Sequence, residues 1–235
     1  MEKYKAADIL IPSTTKRAPL RDISKINTII IHTTGYGAGL ERIANFNKGS
    51  LEGIGSNYAY RMANILKFKG HFLIDHVGVI YHMVPLKEIA WHTASNKRKQ
   101  LKSSDPPAWW QKRWPFFKKP TDLACWAGYP NSNSVGIDLL AHGNGAITPG
   151  YTEKQYESLA KLVAALCKDL DISIKREYIL GHEDVDPISR GTKTSGWDPG
   201  EKFDYDKFMA MVVTKTFANE GDSEPKPVSS LPKDS

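Results

Sequence analysis

Short apolar runs bounded by polar and glycine-containing segments predict where the strands of this chain lie. Residues 26–32 (INTIIIH) form a continuous β-branched run, which is typical of a strand buried on both faces. Residues 71–75 and 79–85 alternate in polarity on either side of a tight turn and predict a hairpin. Further strands are predicted at Ser134–Leu140 and at the run EYILG, which ends at Gly181.

Amphipathic segments predict the helices. The clearest begins after Thr152, which can form a capping box with Gln155, and its apolar residues recur at helical spacing: Tyr156, Leu159, Val163, Leu166 and Leu170. Residues 203–217 predict a closing helix, and residues 40–47 predict a shorter one. Because strands and helices mix without regular β-α-β alternation, the expected fold class is α/β, a single domain with a central mixed β-sheet flanked by α-helices.

Local composition divides the chain into a domain and its flanks. We expect an N-terminal extension over 1–25, a domain over 26–218 with an insertion at about 94–133, and a disordered tail over 219–235. No apolar run reaches the ~18 residues of a membrane span, and the N-terminus lacks the apolar run of a signal peptide. We therefore expect a monomer that is synthesised in the cytoplasm without a signal peptide.

The positive charge of the chain is concentrated in one segment. Eight lysines or arginines and a single acidic residue, Asp105, lie within Lys97–Lys119, so this segment alone exceeds the net charge of +6. The segment also contains Trp109, Trp110, Trp114, Phe116 and Phe117. Aromatic rings stack on sugars and cations attract polyanions, which favours an anionic envelope polymer as partner. Nucleic acid is disfavoured because no nucleic-acid motif accompanies the patch, and a loop whose tryptophans pack back on the domain remains an alternative.

Cysteines and histidines are the first candidates for metal ligands. Cys125 and Cys167 lack paired spacing, so we expect free thiols. Two of the seven histidines, His32 and His182, each follow an apolar strand and could meet at one rim of the sheet. Asp198, which opens an Asp-Pro-Gly turn, could be a third ligand, or it could only cap that turn. An H-E-x-x-H helix is excluded because residue 186 is aspartate.

Five sequence blocks taken together resemble a known family. They are INTIIIHTTG, GHFLIDHVGVIYHMVP, IAWHTASN, SVGIDLL and GHEDVDP with the later DPG, and they span about residues 26–210 in this order. The chain resembles the zinc-dependent N-acetylmuramoyl-L-alanine amidases of type 2, which include phage lysozyme-type amidases and peptidoglycan-recognition proteins. The resemblance implies hydrolysis of the amide between N-acetylmuramic acid and L-alanine in peptidoglycan, with Zn²⁺ as cofactor and His32, His182 and Asp198 as its ligands.

The resemblance also implies a general base. Some members use a tyrosine before the histidine of a G-Y-H-F block, but Gly70 stands at that position here. Others use the glutamate of a G-I-E-L strand, and this chain has Asp138 in its place. Asp138 is therefore the candidate base, with a side chain about 1.5 Å shorter in reach. From the pattern alone, an aspartate on the solvent face of the sheet is equally compatible.

Further site residues follow from the same blocks. Lys193 corresponds to the lysine that faces the oxyanion, although Ser195–Trp197 separate it from the aspartate, and a solvated lysine is an alternative. His71 and His92 fall in blocks that line the cleft of the family, and we expect them, with Trp109 and Trp110, to contact substrate.

Two classes of function therefore remain open. The first is a cell-wall lytic amidase of the endolysin kind, with antimicrobial action, which reaches the wall after release or specialised export. A cytosolic amidase that recycles anhydro-muropeptides belongs to the same class. The second is a peptidoglycan-binding module without catalysis. Retention of all three candidate ligands favours the enzyme.

Overall fold

The computed structural model describes residues 2–11, 19–34, 70–93, 98–140, 151–191 and 197–221. Within them the strands are β1 Ile9–Leu10, β2 Thr28–Thr33, β3 Phe72–Ile74, β4 Ile80–His82, β5 Ser134–Leu139 and β6 Ile179–Gly181. The helices are α1 Arg98–Ser103, α2 Ala108–Arg113, α3 Pro130–Asn133, α4 Glu153–Leu170, α5 His182–Val185, α6 Pro187–Arg190 and α7 Tyr205–Gly221. The predicted helix over 40–47 lies outside the described residues, as does Lys193.

The described strands form one mixed sheet in the order β1-β4-β3-β5-β2-β6. β3 and β4 pair antiparallel as the predicted hairpin, and the other neighbours pair in parallel. The central pair, β2 and β5, is in register from Thr28 and Ser134 to Thr33 and Leu139. The fold is thus the α/β class with a mixed sheet that the sequence predicts.

One face of the sheet is covered by the two long helices. Alternate residues of β2 and β5, such as Ile29 and Ile137, pack with buried residues of α4 and α7 in one apolar core. α4 begins as predicted, because the Thr152 hydroxyl accepts the Gln155 backbone N–H and the Gln155 side chain accepts the Thr152 N–H. This packing leaves the other residues of each strand for the opposite face.

The opposite face is covered in part by the insertion between β4 and β5. Its aromatic residues Trp110, Trp114 and Trp126 form a second core with Ile30 of β2 and Leu180 of β6. The insertion is therefore a helical layer of the domain. The tryptophans are buried because Ile30 and Leu180 point away from the long helices and need an apolar cover.

Three further expectations can be compared with the structure. Cys125 and Cys167 are free thiols and both are buried. α7 continues to Gly221, so the helix extends three residues into the segment predicted as a disordered tail. Within the described part of the chain, no helix is both long and apolar enough to cross a membrane.

Candidate metal and catalytic site

Two histidines and one aspartate meet at one end of the central strands. His32 is the penultimate residue of β2, His182 follows β6 directly and begins α5, and Asp198 lies in the turn before α7. All three side chains are buried, and one potential ligand atom from each lies within 4.8 Å of the others. Asp198 Oδ2 is 3.4 Å from His32 Nδ1 and 2.9 Å from His182 Nδ1.

The parallel pairing of β2 and β6 brings the two histidines together. Ile31 and Gly181 are partners in register, so the residues that follow them emerge side by side at the same edge. Their imidazole centroids are 4.7 Å apart. Strand pairing therefore brings the two histidines together although they are separated by 150 positions in sequence.

Backbone hydrogen bonds hold the Asp198 turn against this edge. The Thr33 N–H donates to Asp198 Oδ1 at 2.6 Å, and the Glu183 N–H donates to the Asp198 carbonyl at 2.8 Å. The Tyr151 hydroxyl donates to the Pro199 carbonyl at 2.6 Å. Asp198 Oδ1 is thus occupied, and Oδ2 is the oxygen that faces the imidazoles.

The charges of the three residues favour a cation. Burial alone would raise the pKa of Asp198, but the charges and hydrogen bonds of His32 and His182 outweigh it and hold that pKa below its usual range. Burial lowers the pKa of His182, against the opposing effect of Asp198, so its imidazole is disposed to be neutral. An ionised carboxylate beside two imidazole nitrogens is a donor set that suits Zn²⁺ and leaves room for one further ligand.

Asp138 lies beside His32 on the neighbouring strand. The two residues are partners in the β2–β5 register, and both belong to the face opposite the long helices. Asp138 is 7% exposed, and its Oδ2 accepts the Gly70 N–H at 2.8 Å. Burial raises the pKa of Asp138 to about 6, against the effects of His32 and the Gly70 hydrogen bond.

Gly70 allows the close approach of its backbone to this carboxylate. A Cβ at position 70 would lie 2.4 Å from Asp138 Oδ2 and 2.8 Å from the Gly136 carbonyl oxygen. A side chain there would therefore displace the strand or the carboxylate. Position 70, where the resemblance implies a tyrosine in some family members, therefore accommodates only glycine beside Asp138.

His71 is buried in the described structure, and its predicted contact with substrate stays a prediction. Its side chain is fully buried, and its Nδ1 accepts the Gly136 N–H at 3.1 Å. Its Nε2 lies 2.6 Å from Arg21 Nη2 and 3.2 Å from the Glu88 carbonyl oxygen. Burial and the Arg21 charge hold the pKa of His71 well below its usual value.

His92 is also buried, at 7% exposure, and its predicted contact with substrate stays a prediction. Its Nδ1 is 2.9 Å from His32 Nε2, and its Nε2 is 3.3 Å from Ser134 Oγ. Burial first, and then the neighbouring imidazoles, lower the pKa of His92 well below its usual value. Both ring nitrogens are therefore used inside the protein.

The two tryptophans assigned to substrate differ in position. Trp110 is 0% exposed and its indole N–H donates to the Asp184 carbonyl at 2.8 Å, so the structure places it in the second core, and its contact with substrate stays a prediction. Trp109 is partly buried, lies 6.1 Å from the ring of Trp197, and carries the Arg113 guanidinium 5.0 Å above its own ring. Only Trp109 retains exposed surface for a ligand.

A buried ionic cluster behind the site was missed by the sequence analysis. Arg113 of the insertion donates to Glu183 at 2.7 Å and to Asp184 at 2.8 Å, and Arg176 donates to Asp184 at 2.6 Å. The other oxygen of Glu183 accepts the Gly200 N–H at 3.0 Å. Burial, and then Asp184, raise the pKa of Glu183 to about 7. The acidic pair after His182 was the available signal, but no spacing rule identifies a partner 70 residues away.

Comparisons with known proteins give the family of the chain and agree with its fold. The model of the N-acetylmuramoyl-L-alanine amidase family matches residues 22–201. A selenomethionine derivative of AmpD shares 23% identity over 89% of this chain and 96% of its own, with a TM-score of 0.50. A mutant of PlyL shares 12% identity over 88% and 98%, with a TM-score of 0.53.

The endolysin N-acetylmuramoyl-L-alanine amidase LysCS from Clostridium intestinale URNW shares 18% identity over 88% of this chain and 97% of its own, with a TM-score of 0.48. At these identities the similarity of solved structures concerns the fold. No curated protein matches the sequence.

Proposed function

The chain belongs to the N-acetylmuramoyl-L-alanine amidase family, and on this premise we propose that its hydrolysis of peptidoglycan depends on zinc held by His32, His182 and Asp198. The bond cleaved is the amide between the lactyl group of N-acetylmuramic acid and the L-alanine of the stem peptide. One observation carries the proposal: ligand atoms of these three buried residues lie within 4.8 Å of one another. Two imidazoles, one carboxylate and an open position are typical of catalytic zinc sites.

Asp138 is the residue proposed to move protons. When bound, zinc supplies a Lewis acid for the amide carbonyl and makes water acidic enough to attack near neutral pH. Asp138 accepts the proton of the attacking water and delivers it to the leaving nitrogen of alanine. Its place beside His32 and its raised pKa of about 6 support this role, because a base with a pKa near the working pH both accepts and returns a proton.

The oxyanion that develops on the amide carbonyl needs a positive or N–H partner. We propose Lys193 for this role, from its position shortly before Asp198 in the sequence. Lys193 lies outside the described residues, so the proposal rests on the sequence resemblance.

Zinc analysis combined with turnover tests the proposed function. We expect about one zinc per chain in the purified protein, release of stem peptides from purified sacculi, loss of that release on treatment with a chelator, and recovery on adding zinc back. His182→Ala should abolish both zinc binding and release, because it removes one of three ligands. His76→Ala, at the hairpin turn between β3 and β4, is the matched control and should retain both. Full activity in a zinc-free protein would contradict the proposal.

Intact cell wall is the substrate that the surface of the insertion favours over small recycled fragments. Lys99, Lys102, Lys112 and Lys118 are exposed, and Phe116 of the same segment is 95% exposed. Exposed cations and an exposed aromatic ring in one segment suit an anionic envelope polymer or glycan. Faster turnover of sacculi than of soluble anhydro-muropeptide is the expected result, and a preference for the soluble fragment would assign the enzyme to recycling.

A further inference from the structure

We propose that His92 is a positioning residue for the metal ligand His32, with His92 Nδ1 accepting the proton on His32 Nε2 so that His32 Nδ1 presents its lone pair to zinc. This inference rests on the proposed zinc site. It replaces the contact with substrate that the sequence suggests for His92.

The first step is the contact between the two rings. His32 Nε2 and His92 Nδ1 are 2.9 Å apart, and the rings meet edge to face with centroids 5.0 Å apart. A neutral imidazole carries one N–H and one lone pair. His32 can therefore donate from Nε2 only when its Nδ1 carries no proton, which is also what a metal ligand requires. That nitrogen lies 3.4 Å from Asp198 Oδ2, so metal binding and a hydrogen bond from Nδ1 to Asp198 exclude each other.

The second step determines which atom of this pair donates. Ser134 Oγ makes a short hydrogen bond to the Pro130 carbonyl oxygen, which can only accept, so the serine hydroxyl proton is used there. Ser134 Oγ must then accept from His92 Nε2, which lies 3.3 Å away. With its proton on Nε2, His92 has its lone pair on Nδ1 and is the acceptor for His32.

The third step is how the His92 ring is held in place. Asn131 Oδ1 accepts the backbone N–H of His92 at 3.1 Å and that of Thr93 at 2.8 Å, and Asn131 Nδ2 donates to the Thr93 carbonyl at 3.0 Å. The ring itself packs on Gly136, where a Cβ would lie 2.5 Å from His92 Cγ. The glycine of the G-I-D-L strand thus makes room for the ring that supports His32.

The two metal-binding histidines differ in this support. His182 Nε2 is buried and has no hydrogen-bond partner among the described residues. His32 is held from behind by His92, and such outer partners of metal-binding histidines fix the tautomer and ring orientation. His92 has no free polar atom left for a substrate, because both of its nitrogens are engaged.

Zinc affinity of the full-length protein, measured by competition with a chromophoric chelator, tests the inference. We expect His92→Phe to weaken zinc binding by about 10–100-fold, the usual cost of losing an outer partner. His92→Asn should recover most of the affinity, because its side-chain oxygen can accept near the position of Nδ1. The melting temperature of each zinc-free variant is the control. If His92 had only a structural role, both substitutions would lower the melting temperature, and the Phe and Asn variants would bind zinc with the same affinity.

Two further measurements keep the test decisive if His92→Phe does not fold. Ser134→Ala keeps the ring and removes its acceptor, and we expect a severalfold loss of zinc affinity. Nitrogen NMR of the wild-type protein should show the proton of His92 on Nε2, and a proton on Nδ1 would overturn the inference.

If the wild-type protein binds zinc and His92→Phe binds it equally well, only the inference fails. If the wild-type protein binds no zinc, the proposed zinc site fails and the inference falls with it.

Discussion

At the scale of single residues, Asp138 combines burial with a place beside His32, one of the three proposed metal ligands. The carboxylate lies beside His32 in register and accepts the Gly70 N–H, while burial raises its pKa to about 6. Aspartate is shorter than the glutamate of the related strand motif. The backbone of Gly70, which approaches the carboxylate closely, holds this shorter side chain in one position.

Asp138→Asn is expected to lower kcat by about 10²–10⁴-fold, the usual contribution of a positioned general base. The amide can still accept the Gly70 N–H, so the fold and the zinc content should remain those of the wild-type protein. Turnover on sacculi with parallel zinc analysis measures both. Asp169→Asn, an exposed carboxylate paired with Lys5, is the matched control. An Asp138→Asn enzyme with wild-type kcat would eliminate Asp138 as the base.

At the scale of secondary-structure elements, helix α2 of the insertion supports the turn that carries Asp198. Arg113 of α2 binds Glu183 of α5, and Glu183 accepts the Gly200 N–H two residues after Asp198. The strongly basic insertion therefore uses one of its cations inside the protein. Its helices pack on Ile30 and Leu180, next to the strand ends that hold the site.

Arg113→Met is expected to destabilise the protein by roughly 2–4 kcal/mol, because it leaves buried carboxylates without one partner. This is less than a fully buried pair would cost, since the Arg113 side chain is 30% exposed. Adding Glu183→Gln should recover part of the loss by removing the unpaired charge. Urea denaturation of the single and double variants measures the coupling, and simple additivity would contradict it. Lys119→Met, which loses a 3.7 Å contact with Asp105 and a 3.4 Å hydrogen bond to the Ser104 carbonyl but leaves no buried carboxylate unpaired, should change stability little.

At the scale of the whole molecule, charge is distributed unevenly over the surface. The segment Lys97–Lys119 of the insertion holds more positive charge than the net +6 of the chain, and it also exposes Phe116. Such a surface attracts anionic polymers at a distance of about one Debye length and loses that attraction in salt.

Lys112→Ser combined with Lys118→Ser should weaken binding to sacculi by about fivefold per lysine, the effect of roughly 1 kcal/mol for each cation near an anionic surface. Binding of the variant should also depend less on salt, while its turnover of a soluble muropeptide should match that of the wild-type protein. Lys161→Ser with Lys168→Ser, on helix α4, is the control with equal loss of charge. Equal losses in both double variants would show that net charge, and not the insertion, attracts the wall.

The sequence by itself determined most of the strands and helices, because the spacing of apolar residues and the capping of helices follow from local backbone geometry. The β-branched run before His32, the hairpin after His71 and the capping box at Thr152 each have a signature within a few residues. Alternation along the strand places Asp138 opposite Ile137 and Leu139, but only the structure decides that His32 lies on that face. The resemblance of ordered blocks then named His32, His182 and Asp198, which the structure brings together.

Only the tertiary structure decided what covers each face and which polar groups meet there. His71 and His92 lie in blocks that suggest a cleft, and Trp110 lies in the aromatic segment, yet their nitrogens are engaged inside the protein. Gly136, His32 and Asp184, which these nitrogens contact, are 60 to 74 residues away in sequence, and no local period encodes such a pairing. Burial and hydrogen bonding are properties of the packed chain, so the supporting network of the site emerges only when β5, the insertion and α5 are assembled around it.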